Sequence, residues 1–96
     1  MGSIVLTYSF LKRVIKEYLE ERVKKERGSV FTVKCDDVLS YIKLKYGIKP
    51  RFHRTVILEV LNNELHGAIV FKSRQNHKYR ITYDKKKIIE LLKRFP

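Results

Sequence analysis

Tryptophan is absent from this 96-residue chain, cysteine, methionine and alanine occur once each, proline twice and glycine four times. A single thiol, Cys35, excludes an intrachain disulfide scaffold and suits a reducing, cytoplasmic setting. No apolar run exceeds four residues, so the sequence offers no signal-peptide core and no membrane span. Zinc-site spacing is also missing, because Cys35, His53, His66 and His77 form none of the short pairs such sites use. No Ser or Cys stands in a nucleophile motif and there is no glycine-rich phosphate loop. Glu17, Glu20, Glu21 and Glu26 interleave with Lys and Arg as solvated helical pairs. The expectation is a protein with no catalytic residue, no metal and no cofactor.

Acid is the other scarce commodity. Ten Asp+Glu face 22 Lys+Arg, a formal net charge of +12, and a surplus of that size suits a polyanionic partner. Against disorder stand 44% hydrophobic residues, with six Tyr and five Phe. The length allows one domain with one core.

Glycine and proline punctuate the rest. Leu11, Val14, Ile15, Tyr18 and Leu19 recur at helical spacing, predicting a helix over 7–27 that Gly28 is placed to end. Ser29, Val30 and Phe31 are enough for one minor strand. A second helix, 33–46, is expected to start at a Thr32 cap with Asp36 and Asp37 near its positive end. Cys35, Val38, Leu39, Ile42 and Tyr46 share its apolar arc, and Gly47 closes it. Cys35 therefore reads as a buried, inert thiol, an intersubunit disulfide being the rival reading.

After a very short turn, Pro50 opens a third helix over 50–65. Phe52, Val56, Ile57, Val60 and Leu61 form its inner face. Arg51, Arg54, Thr55, Leu58 and Asn62 form the outer one, with Glu59 at the margin and no acid within it. Two period-two stretches follow over 68–83, and pairing them about Gln75 puts Phe71 opposite Tyr79 and Ile69 opposite Ile81. Ser73, Arg74, Gln75, Asn76 and His77 make a polar tip. From His66 to Tyr83 there are four cations, Lys72, Arg74, Lys78 and Arg80, and no acid. Ile88, Leu91, Leu92 and Phe95 mark a last amphipathic helix over 85–95.

This α+β order of helix, short strand, helix, tight turn, helix, strand, basic loop, strand, helix resembles the winged helix-turn-helix family across about residues 7 to 95. Small basic proteins of that plan resemble transcription regulators of archaea and archaeal viruses, and the lysine-rich, Met-poor composition suits a hyperthermophile. The resemblance implies a three-helix core with a two-stranded wing, and a recognition helix at 50–65 that enters the major groove of double-stranded DNA. Arg51, Arg54, Thr55, Leu58 and Asn62 would face the bases; Lys72, Arg74, Gln75, Asn76, His77, Lys78 and Arg80 would form the wing on the backbone or minor groove. It further implies a homodimer packed through the terminal helices, with Leu11, Ile15, Ile88, Leu91, Leu92 and Phe95 as the interface. No membrane and no small-molecule effector is expected. The rival readings are an architectural DNA-coating protein, a protein-interaction module and an RNA binder. The plainer reading of Asn62 is a solvated amide, and His53 suits packing or capping as well as contact.

Overall fold

A computed structural model describes residues 8–48, 54–75 and 78–95. In chain order these form α1 (Tyr8–Lys25), β1 (Val30–Lys34), α2 (Cys35–Tyr46), α3 (Arg54–Glu59), a π-helical turn (Val60–Glu64), a 3-10 turn (His66–Ala68), β2 (Ile69–Gln75), β3 (Lys78–Asp84) and α4 (Lys85–Leu92). The strands make an antiparallel sheet in the order β1-β3-β2. The fold is thus α+β, with four α-helices and a three-stranded antiparallel sheet among the described residues, the sheet burying one face.

The apolar periodicities close on one core. Leu11, Val14, Ile15 and Leu19 of α1, Val38 and Ile42 of α2, Ile57 of α3, and Val60 and Leu61 of the π turn are buried together with Phe31, Val33, Ile81 and Tyr83 of the sheet. Gly47 closes α2 in the left-handed region, φ 67°, with its N–H donating to the Lys43 carbonyl at 2.9 Å. A side chain at that φ would be strained. Gly28 does not play the corresponding part for α1, which ends at Lys25.

Other boundaries move for identifiable reasons. Thr32 does not cap α2; it lies within β1, and its hydroxyl meets that of Thr82 at 2.9 Å. The helix starts at Cys35 instead, where the Asp37 carboxylate accepts from the Lys34 N–H at 3.3 Å. The regular part of the third helix is short, because Val60 begins the π turn. There the buried Tyr83 hydroxyl donates to the Leu61 carbonyl at 2.7 Å, satisfying a group at the disturbed end of the helix. Burial also drives the Tyr83 hydroxyl's pKa far above its ordinary value. Pro50, Phe52 and His53 lie outside the described residues.

The hairpin register differs from the period-two expectation. Gln75 pairs with Lys78, Arg74 with Tyr79, Ser73 with Arg80, Lys72 with Ile81 and Phe71 with Thr82; an irregularity at Val70 then brings Ile69 opposite Tyr83. The reversal is therefore tighter than the five-residue tip expected, and the extra residue is a bulge that shifts the phase of β2 by one. Ile69 and Phe71, two apart in sequence, end on opposite faces. Phe71 is 62% exposed.

The residues expected at a dimer surface are placed within the single chain. Leu11 and Ile15, with Ile88, Leu92 and Phe95, are buried within the single chain, and of the six only Leu91 keeps part of its surface. The C-terminal stretch folds back on α1: the Lys16 ammonium donates to the Phe95 carbonyl at 3.2 Å, and the Lys12 ammonium sits 4.8 Å from the Phe95 ring centroid. The Asp84 carboxylate caps α4 through the Lys87 N–H at 3.0 Å. Two amphipathic helices that looked spare are a pair that covers one core.

Polar side chains lace α1 to its neighbours. Arg22 donates to the Tyr18 hydroxyl, the Glu26 carboxylate and the Thr32 carbonyl, each at 2.9 Å. Glu17 accepts from the Tyr46 hydroxyl at 2.6 Å and from the Lys45 ammonium at 3.2 Å, joining α1 to α2. The Tyr46 hydrogen bond, and then Lys45, hold the Glu17 carboxyl below its ordinary pKa against the opposing effect of burial.

Two outcomes follow. Tyr83→Phe leaves the Leu61 carbonyl without its partner in the core and is expected to lower stability by about 1–3 kcal/mol in chemical denaturation. Because the Glu17 pKa is depressed on folding, its contribution is present above the ordinary glutamate range and is lost as pH falls through the folded value. Glu17→Gln should therefore flatten the acid limb of a stability-against-pH curve and leave a wild-type curve that is steeper only at low pH.

Candidate nucleic-acid interface

The four hairpin cations, Lys72, Arg74, Lys78 and Arg80, are all exposed. Directly paired residues of an antiparallel ladder project to the same face. Lys72 stands opposite Ile81 and Arg74 opposite Tyr79, so both belong to the helix-side face, beyond the limit of the buried core. Lys78 and Arg80 alternate with Tyr79 and Ile81 and belong to the open face. The expected single basic wing is thus two pairs of cations on opposite faces of one hairpin. The Arg74 guanidinium carbon lies 5.2 Å from the Tyr79 ring centroid, a cation–π contact that orients its fork.

On the third helix two of the five expected outer-face residues are exposed, and a carboxylate from another helix joins them. Arg54 and Thr55 are exposed, as are Glu59, Asn63 and Glu64 further along. Leu58 is half-buried and packs against the core, and Asn62 is half-buried in the π turn. Leu58 thus divides its surface between core packing and the candidate contact face. The face also has a carboxylate that its own residues do not reveal: Asp36, from the first turn of α2, accepts from the Arg54 guanidinium at 2.5 Å. Both partners are about half exposed, at 46% of side-chain surface each. An exposed pair of this kind contributes about 0–1 kcal/mol, so a phosphate or a guanine edge can compete for the guanidinium. Glu64 is similarly engaged, by the Lys12 ammonium at 3.6 Å and the Tyr8 hydroxyl at 3.0 Å.

Arg51, Asn76 and His77 lie outside the described residues, and of Gln75 only its place in β2 is described. A cation that the sequence reading omitted joins the set. Lys34 is exposed at the end of β1 and pairs in register with Arg80, on the open face. Its signal was there in the sequence, as the lysine that closes the alternation Val30, Thr32, Lys34, once β1 is taken as five residues long instead of three.

Cys35 sits where α2 meets α3. Its side chain is 2% exposed for the whole residue, with the sulfur 3.9 Å from the Arg54 carbonyl oxygen. Burial is the main influence on the thiol and pushes its pKa up to about 11, with Arg54 pulling the other way. Among the described residues no group of three or more His, Cys, Asp or Glu side chains gathers as a metal site. Nor is any described helix long and apolar enough to cross a membrane.

In comparisons with known proteins, no family model, no curated protein and no solved structure matches the chain.

The Cys35 environment generates its own expectation. Iodoacetamide at pH 8 should modify the folded protein at a small fraction of the rate seen in denaturant, because the thiol is both covered and held neutral. Mass spectrometry of the alkylated species checks this, and rapid labelling of the folded form would show that the α2–α3 contact opens readily.

Proposed function

We propose that the chain is a winged-helix protein that binds double-stranded DNA, with the third helix toward the major groove and the hairpin as the wing. The carrying observation is the hairpin: Lys72 and Arg74 are exposed on its helix-side face, with no acid between His66 and Tyr83, on strands whose ladder is anchored in the core. The element order and the sheet order β1-β3-β2 fit that family. On this reading Lys72 and Arg74, on the helix-side face with α3, bind phosphates of the duplex. Arg54 exchanges Asp36 for a base edge, and Thr55 lies beside it. Sequence-specific regulation of transcription is the use such a domain serves. Pairing of two copies is not needed by this reading, since the residues expected to drive it are occupied within the chain.

One observation favours the architectural variant of the same reading. The described third helix exposes Arg54, paired with Asp36, together with Glu59, whereas the helix-side face of the hairpin exposes Lys72 and Arg74 with no acid, which favours phosphate over base contacts. Selection of bound sequences from a random duplex pool separates the two. Enrichment of a consensus marks a regulator, a specificity ratio near one an architectural protein, and no duplex binding at low salt overturns both.

Roles are checked on the same footing. Arg54→Ala is expected to cost about 1–3 kcal/mol on a selected site and little on random DNA. Lys72→Ala should weaken both alike and reduce the slope of log affinity against log salt by about one. Equal responses from the two variants would break the division into reader and clamp.

A further inference from the structure

The open face of the sheet is a surface that duplex binding by the third helix and the helix-side cations does not use. Across its middle run Thr32, Thr82 and Phe71, one from each strand, in direct register. The next row toward the hairpin tip is Lys34, Arg80 and Ser73, and beyond it stands Lys78. Phe71 is 62% exposed and stands outside the buried core, in one row with the short side chains of Thr82 and Thr32. The two threonines are tied to each other by their hydroxyls, which keeps the floor beside the ring low and flat. The Lys34 and Lys78 ammonium groups and the Arg80 guanidinium form no salt bridge with a described carboxylate; Asp37 meets Lys34 through the Lys34 backbone N–H alone. Among the described strand residues of this face the one acid is Asp84, whose carboxylate caps α4.

An exposed aromatic ring bounded on one side by a line of cations matches one chemistry well. Bases present π-faces of any sequence to the ring, and the phosphates that link them are neutralised by the ammonium and guanidinium groups. Bases inside a duplex are stacked on each other and offer no such face. We propose that this face binds single-stranded nucleic acid, with an unpaired base stacked on Phe71 and the adjoining phosphates on Lys34, Arg80 and Lys78. Charge selects this occupant over a second copy of the chain, which would bring its own Lys34, Lys78 and Arg80 against the same cations across a two-fold axis. The surface is created by the bulge at Val70, without which Phe71 would share the face of Ile69 and enter the core side of the sheet. The inference is independent of duplex binding, since neither Lys72 nor Arg74 belongs to this face.

The absence of tryptophan supplies the reporter. Phe71→Trp in the full chain places a single indole at the proposed stacking position, and its fluorescence is expected to be quenched saturably by a short oligothymidine strand. In parallel, Phe71→Ala should weaken oligothymidine binding, followed by fluorescence anisotropy, by a factor between about 5 and about 150. Binding of a mixed-sequence duplex should stay as in the wild type. Because Phe71 is largely exposed, an unchanged thermal midpoint is expected and certifies that both variants fold. Wild-type protein that does not bind the single strand overturns the proposal, as does Phe71→Ala binding it normally or losing duplex and single strand to the same extent. So does sedimentation in which Phe71→Ala converts a dimer to a monomer, which would assign the face to a second copy. Failure of duplex binding alone, with the single strand still bound through Phe71, strikes the reading of the third helix and leaves this one standing.

Discussion

Tyr83 occupies the point where every layer of this small protein meets. It lies on the central strand, fully buried, against Phe31 of one neighbouring strand and opposite Ile69 of the other. Its hydroxyl is carried inward to the Leu61 carbonyl, in the π turn that ends the third helix. A large ring in that position settles the distance between sheet and helix, and its single polar atom settles the rotation of the helix end. A buried hydroxyl without a partner costs more than a satisfied one returns, so the helix end is held to the one geometry that offers it a carbonyl. Orientation of the exposed residues further up the helix, Arg54 and Thr55, inherits this constraint.

The second determinant is a matter of phase. A strand two of whose apolar residues stand at i and i+2 would put both on one side, and the bulge at Val70 puts them on two. The same alternation distributes the hairpin's cations, Lys72 and Arg74 toward the helices, Lys78 and Arg80 away from them. Charge that sums to +4 over residues 51–83 is therefore presented as two smaller surfaces that point in different directions. Arg54 adds a further division, because its counter-ion arrives from α2 and not from its own helix.

How far the sequence foretold this depends on whether the deciding contact is local. The helical stripes of α1, α2 and α4 were legible, since periodicity reports which side of a helix is covered. What covers it was not: Ile88 and Leu92 show the same spacing whether their neighbour is α1 of the same chain or a second molecule. Gly47 was legible as a cap from its own conformational freedom, whereas Thr32 was misread because a good capping side chain is equally good on an exposed strand face. The hairpin was recognisable by alternation and misaligned in register, for alternation cannot announce an inserted residue. The sequence places no acid among Arg51, Arg54, Thr55, Leu58 and Asn62, and Asp36, eighteen positions before Arg54, brings one from outside the helix.

An open three-stranded sheet has two outer edges, and each is an invitation for another strand to add itself. β1 limits that risk by brevity, five residues that pass directly into α2. β2 is longer, and its exposed apolar residues Val70 and Phe71 would make it adhesive if it ran straight. The bulge sits in that stretch and interrupts the even spacing of free backbone groups that an incoming strand must match, while Lys72 and Arg74 place like charge along the remainder. The same inserted residue that turns an aromatic ring toward solvent therefore keeps the strand that bears it from templating fibrils.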